Sequence, residues 1–429
     1  MSHDSATPPN PDEPELEQVQ PRTRVRRRSG LTVSGLTIFG LSTSGLTAEQ
    51  RVRLRPYIWL ALSLLLPLWF LTLSEALFRF WFGRGLPEGR LYELSATGLP
   101  LLKPDLNIRL SADGALFELH TDAQGLRQSQ TERTGERWLV VGDEQTLGWG
   151  VQDEQTFSEQ AGGAGPTFLN AGVPGYGVLD ALERASLWMS TEQQAGRPLP
   201  EGVVVVFNES DDLEQGDRLA RERLSVVDGW LRLKDPTQEI RPVPPRFAHR
   251  LHLVYWLSTW SVRVDAAGLA PRFAPAWLVT PEMALPTVQL LADALEAFAR
   301  EQAQVRMVVL YVPSPWTTSE AWVRRSSFFA ELQQAGVQPW RSEGLQKSFV
   351  RALPPDLTLL DMRAALEHDD SFQVNLPLLS PEGHRRVGEA LLMGVSRVPP
   401  LIQAGEEADD ETPAAPGATS TPLPAAPAE

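Results

Sequence analysis

The chain has 429 residues, with 54 Asp and Glu against 39 Lys and Arg, six histidines and no cysteine. The acidic balance argues against a nucleic-acid binder, which needs a basic face to neutralise phosphates. The missing cysteine excludes disulfides, thiolate metal sites, cysteine nucleophiles and an acylated N-terminal cysteine. Scattered histidines with no i, i+4 pair offer no histidine-rich metal site, so neither a metal nor a cofactor is expected.

Residues 1–55 mix Pro-rich, acidic and Arg-rich stretches with few aromatics and read as a disordered cytoplasmic tail. Inside it, "SGLTVSGLTIFGLSTSGLT" (29–47) repeats with a period of five, too short an array to bury a core. From Pro56 to Ser74 the sequence "PYIWLALSLLLPLWFLTLS" carries no charge. At ~1.5 Å per residue it spans roughly 28 Å, close to a bilayer's hydrocarbon core. Residues 56–82 are therefore predicted to form a transmembrane signal-anchor, uncleaved because large aromatics rather than small residues follow it. Arg22, Arg24, Arg26, Arg27, Arg28, Arg51, Arg53 and Arg55 precede the span, whereas the arginines after it alternate with Glu75 and Glu88. The positive-inside rule then puts the N-terminus in the cytoplasm and the bulk of the chain outside, in the periplasm of a bacterial inner membrane. At the far end, residues 402–429 are acidic and then Pro/Ala-rich, and read as a disordered tail.

Between the tails, 84–401 is expected to be one domain. Apolar runs of strand length at 138–143, 167–172, 202–208, 306–313 and 357–362 alternate with helix-period segments at 178–190, 285–303 and 319–335. A last helix opens at Ser380, a good N-cap, followed by Pro381. Continuous apolar strands imply burial on both faces. That predicts an α/β fold of three layers, flavodoxin-like, with a central parallel sheet between helices. Ligands in such sheets sit outside the carboxyl ends of the strands, where the loops after Gly142, Gly172 and Asn208 gather.

Four of these loops resemble the blocks of the SGNH, or GDSL-like, hydrolase family. "LVVGDEQTLGWGVQDEQTF" resembles the block whose Gly-Asp-Ser carries the nucleophile, and "LNAGVPGYG" (169–177) the block whose glycine, here Gly175, supplies an oxyanion-hole amide. "VVVVFNESDDL" (203–213) resembles the Gly-Asn-Asp-Leu block, and "LPLLSPEGHRRVGEALL" (376–392) the block that opens the final helix. "LHTDAQGLR" (119–127) looks like the segment ahead of the first block in membrane-anchored members. The resemblance implies an esterase scaffold, but its catalytic positions are degenerate. Glu144 stands in the nucleophile slot, Asp211 in the Asn slot, Leu376 in the Asp slot and Leu378 in the His slot. His384 matches the family's structural histidine and not its base.

A serine esterase needs a hydroxyl, an imidazole to take its proton, a carboxylate to orient the imidazole, and donors aimed at the oxyanion. Glu144, Leu378, Leu376 and Asp211 supply none of these, and losing a triad costs about 10^6 in rate. The expected protein is a catalytically silent, membrane-anchored domain that binds, scaffolds or regulates, with an envelope protein or glycan as partner. The alternative is an active esterase or O-acetyltransferase that uses Ser210, or His368 in "EHDD" (367–370), in non-standard roles. The expected ligand cleft comprises Asp143, Glu144, Gly175, Asp211 and Asp212. These carboxylates could converge as oxygen ligands for Ca²⁺ or Mg²⁺. Alternatively Asp143 and Asp212 bond loop amides while Glu144 faces solvent or an arginine. Residues 213–283 read as a lid-like insertion over the cleft edge, in which Leu253, Trp256 and Trp260 recur at helical spacing.

Overall fold

The structure is a computed structural model. It describes residues 47–82, 91–112, 115–128, 135–162, 165–215, 219–227, 229–234, 253, 276–325, 329–334, 336–341, 344–355, 357–374 and 376–399. Residues 1–46 and 402–429 of the predicted tails, the repeats up to residue 46, and most of the predicted insertion 213–283, with Trp256 and Trp260, lie outside the described residues; residues 48–55, expected to be disordered, are helical. The chain divides into two compact units, Met1–Leu71 and Thr72–Glu429.

Helix α1 runs from Ala48 to Phe82. Its stretch Val52–Phe80 is long and apolar enough to cross a membrane. The helix begins eight residues ahead of the predicted Pro56, for a local reason. Thr47 Oγ1 accepts from Gln50 N at 3.3 Å while Gln50 Oε1 accepts from Thr47 N at 3.0 Å, a reciprocal capping box written as "TAEQ". Pro56 and Pro67 both sit inside the helix.

The domain is organised by a five-stranded sheet of β5 (Arg137–Val141), β6 (Thr167–Asn170), β7 (Gly202–Asn208), β10 (Arg306–Val312) and β11 (Thr358–Asp361), in the order β11-β10-β7-β5-β6. Every pairing in it is parallel. These are the five predicted runs, with ends shifted by zero to two residues. Val203, Val204, Val205, Val206 and Phe207 of the central strand are all buried, which is why that run shows no polar alternation. One helical layer contains α4 (Val178–Gln194), α6 (Leu285–Glu301) and α7 (Gly344–Ala352), and the other contains α3 (Phe157–Gly162) and α8 (Pro381–Val395). The predicted helix 319–335 is described as two segments, Glu320–Arg325 and Phe329–Gln334.

Three hairpins were not legible in the sequence: β1 (Tyr92–Leu94) with β2 (Pro100–Leu102), β3 (Asn107–Ala112) with β4 (Ala115–His120), and β8 (Leu224–Val227) with β9 (Trp230–Leu233). They pack with Leu147, Val173 and Tyr176 into a second, smaller apolar cluster beside the carboxyl edge of the sheet.

The chain leaves β5 for β6 on one side and then crosses to β7 on the other. The crevice between the carboxyl ends of β5 and β7 is thus the switch point where such sheets take their ligands.

Candidate functional site

Two short helices begin at that crevice. After β5, Asp143 caps α2 (Glu144–Leu147), its Oδ1 accepting from Gln145 N at 2.9 Å and Thr146 N at 3.3 Å. Its other oxygen accepts from Asn208 Nδ2 at 2.5 Å, which ties the end of β5 to the end of β7. After β7 comes α5 (Glu209–Gln215). Asp212 in its first turn accepts from Asn208 N at 2.6 Å and from Val178 N, at the start of α4, at 3.0 Å. Asp143 and Asp212 therefore spend their oxygens holding the loops together.

Glu144 is the first residue of α2. Its Oε2 accepts a hydrogen bond from Gly175 N at 3.1 Å. Gly175 has φ +80°, a left-handed conformation that a residue with a Cβ adopts only under strain, and this conformation turns its N–H toward α2. Close approach of α2 to the Gly172 loop fixes the distance. A Cβ at Gly172 would lie 2.3 Å from Leu147 N. Half-buried Glu144 thus has a partner that the sequence reading did not name: its carboxylate sits on the Gly175 amide.

Asp211 completes the group. It is hydrogen-bonded to Glu144. Oxygens of Asp143, Glu144 and Asp211 lie within 4.8 Å of one another. Burial, then the charge of Glu144, pushes the Asp143 carboxyl up to about 7, against the pull of its bonds from Asn208, Thr146 and Gln145. Burial and the neighbouring acids also hold Asp211 and Asp212 well above the usual carboxylate range. Asp143 is thus only partly ionised near neutrality, and the Gly175 amide is already occupied by Glu144. Asp143, Glu144 and Asp211 are the oxygen set that could hold a hard cation.

The structure places the remaining sequence candidates as follows. Gln145 bridges α2 to the loop ahead of α8, donating to Pro377 O at 2.7 Å and accepting from Leu379 N at 2.8 Å. Leu378 on that loop is buried, and Leu376 packs against the second apolar cluster with Trp149 and Leu231. His384 is 1% exposed, stacks on Phe157 and accepts from Phe157 N through Nδ1 at 3.2 Å. Burial, reinforced by the Arg127 charge, pulls its pKa down to about 3, so the ring is neutral near pH 7. Ser210 is buried, and its Oγ meets no partner. His368 is exposed, while Asp370 beside it pairs with Arg386 at 2.8 Å. Among the described residues Ser210 Oγ has no base within hydrogen-bond reach; the Thr317 hydroxyl nearby donates to the buried Glu209, which also accepts from Ser314 N.

Residues that the sequence reading passed over do much of the positioning. Arg127, 4% exposed, bonds Asp153 at 2.7 Å and donates to the carbonyls of Leu147, Gly148 and Val151, clamping the loop that follows α2. It ends the quoted "LHTDAQGLR", so the signal was on the page, but nothing in the sequence says that the guanidinium turns inward. Asn208 closes a strand of seven buried residues, and a polar residue there had only loop amides and Asp143 to meet. Over Gly175 lies the β8–β9 hairpin: a Cβ at Gly175 would be 3.2 Å from Leu224 Cδ1 and 3.5 Å from Leu231 Cδ2.

No protein-family model matches the chain, and no curated protein matches it. Solved structures similar to it are GDSL-family lipolytic proteins and carbohydrate esterases. A lipolytic protein of the G-D-S-L family from Desulfitobacterium hafniense is 12% identical, over 60% of this chain and 99% of that one, at a TM-score of 0.31. A member of the same family from Veillonella parvula is 10% identical, over 61% and 100%, at 0.31. A carbohydrate esterase family 2 enzyme with a carbohydrate-binding domain, from Corynascus thermopiles, is 12% identical, over 66% and 71%, at 0.32.

Proposed function

We propose that this chain is a non-hydrolytic SGNH-like binding module. Helix α1 anchors it in a bacterial inner membrane, with the N-terminus in the cytoplasm and the domain in the periplasm. Its partner is an envelope protein or glycan, and its role is to bind, scaffold or regulate. The observation that carries this reading is the 3.1 Å bond from Gly175 N to Glu144 Oε2. An amide already committed to a fixed carboxylate is not free to stabilise a developing oxyanion, and the charge beside it opposes one. Three further features support the reading: Leu378 where an imidazole would stand, Leu376 inside an apolar cluster, and a buried neutral His384. A pocket can keep the shape of an enzyme and lose its chemistry, because function resides in the site and not in the fold.

The test is hydrolysis of an activated acetyl ester by the full chain in detergent micelles. The reading expects the rate of buffer plus micelles. Turnover above that rate, lost in Ser210→Ala or His368→Ala, would instead establish an esterase or O-acetyltransferase built from non-standard residues.

A further inference from the structure

Three arginines are buried among the described residues: Arg127, Arg184 and Arg306. Two of them have a counter-charge, Arg127 in Asp153 at 2.7 Å and Arg306 in Glu136 at 2.6 Å. Arg184, on α4, is 4% exposed and makes no ion pair among the described residues. Its one hydrogen bond there runs from Nη2 to Gln124 O at 3.2 Å, and its buried Nε meets no partner. The groups around it are engaged with one another. Gln124 donates through Nε2 to Glu192 at 2.6 Å and accepts from Trp188 Nε1 at 3.3 Å, while Tyr176 OH donates to Pro100 O. Asp122 turns an oxygen back on its own loop, accepting from Gln124 N at 2.8 Å and Leu126 N at 2.9 Å, and Glu93 is exposed. Burial lowers the Arg184 pKa against the pull of Tyr176, Asp122 and Glu93, but an arginine stays charged all the same.

A guanidinium donates from every nitrogen, and here a single N–H is spoken for by the chain. Arginine is almost never buried without a counter-charge, because an uncompensated buried charge is strongly destabilising. We propose that Arg184 anchors a second binding site, one for a small oxyanion: a carboxylate or a phosphate group. Nε and the second N–H of Nη2 form the side-on fork that takes two oxygens of such a group. The anion supplies the charge that Asp153 gives Arg127 and Glu136 gives Arg306. This site is opposite in charge to the Asp143–Glu144–Asp211 cleft and takes a different ligand group, so it does not depend on that cleft being catalytically silent.

Equilibrium dialysis of the full chain, in maltoside micelles at neutral pH, against radiolabelled inorganic phosphate tests this. The expected result is saturable uptake with a midpoint of about 1 mM, of which about one equivalent disappears in Arg184→Met. Phosphate held by the arginines of the N-terminal segment persists in the variant and cancels in the difference. With that midpoint, ~20 mM phosphate should raise the Tm of the parent by about 4–7 °C more than that of Arg184→Met. Comparing the two chains also removes the general stabilisation that phosphate salts give any protein. Arg184→Lys keeps the charge but not the fork, and should need about fivefold more phosphate for the same uptake; it takes the place of Arg184→Met if that variant folds poorly. Displacement of the bound phosphate by acetate at a comparable midpoint would identify the ligand group as a carboxylate, and indifference to acetate as a phosphate; both support the site. Uptake and Tm shift in the parent equal to those of Arg184→Met, or of Arg184→Lys where it stands in, overturn the proposal. Ester turnover by the parent chain would overturn the binding-module reading without altering phosphate uptake.

Discussion

Replacing Glu144 by glutamine removes its charge but keeps an oxygen for Gly175 N. Glu144, Asp143 and Asp211 present oxygens within 4.8 Å of one another. Two unit charges at that separation repel by about 3.5 kcal/mol at an effective dielectric of ~20. Glu144 and Asp211 are half-buried, so solvent screens part of this, and Asp143, at about 7, is not fully ionised near neutrality. A net relief of about 1–2 kcal/mol at pH 8 is the expectation. The sign follows from linkage. The Asp143 carboxyl is raised from 3.8 to about 7 on folding, so the folded state binds this proton more tightly than the unfolded one. Its contribution is complete below the unfolded value and is lost as pH rises toward 7. Removing the Glu144 charge lowers that folded value and shrinks the loss. Glu144→Gln should therefore match the parent near pH 4 and exceed it at pH 8, by roughly 2–6 °C in Tm. Tryptophan fluorescence of the full chain during heating in detergent, at both pH values, measures this. Lower stability of the variant at pH 8, or an equal shift at both pH values, would refute the reasoning.

Three further outcomes follow from the same geometry. Arg127→Met takes the guanidinium from the buried Asp153, which keeps its bond to His120, and removes the donor to three carbonyls, and should cost about 2–4 kcal/mol in urea unfolding; a loss below 1 kcal/mol would contradict the clamp. His384, held near 3 by burial, contributes stability that is complete above the unfolded value of 6.5 and fades as pH falls. His384→Phe should remove up to about 3 kcal/mol of the acid-side slope between pH 6.5 and 4, and an unaltered slope would show that the ring is not buried neutral. Gly175→Ala forces a Cβ into a left-handed position 3.2 Å from Leu224, and should cost about 1–2 kcal/mol in the same unfolding assay.

The sheet was legible because β5, β7 and β10 are buried almost throughout and therefore run apolar without interruption, as in "GVVVVFN", whereas the edge strand β11 is half-buried. The final helix was legible because Ser380 caps it through Gly383 N. The hairpins were not, because strands of three to six residues over a satellite cluster show neither clean alternation nor length. The true start of α1 was written in Thr47 and Gln50 but was outweighed by the charge-free run that opens at Pro56. At the site, the loops that carry Asp143, Glu144, Gly175, Asp211 and Asp212 could be placed from strand ends alone. Which oxygen meets which amide could not. The Glu144–Gly175 bond depends on the φ of Gly175, and the turn Ala220–Arg223 beside it is bonded to Asp180 and Glu183, which in the sequence are two more acids on an amphipathic helix.

The most direct measurement is the intact mass of the full chain after exposure to a serine-directed phosphonate. The account predicts an unmodified mass, because among the described residues Ser210 Oγ meets no base and the Gly175 amide is held by Glu144. A stoichiometric adduct on Ser210, or on any hydroxyl lining the cleft, would contradict it.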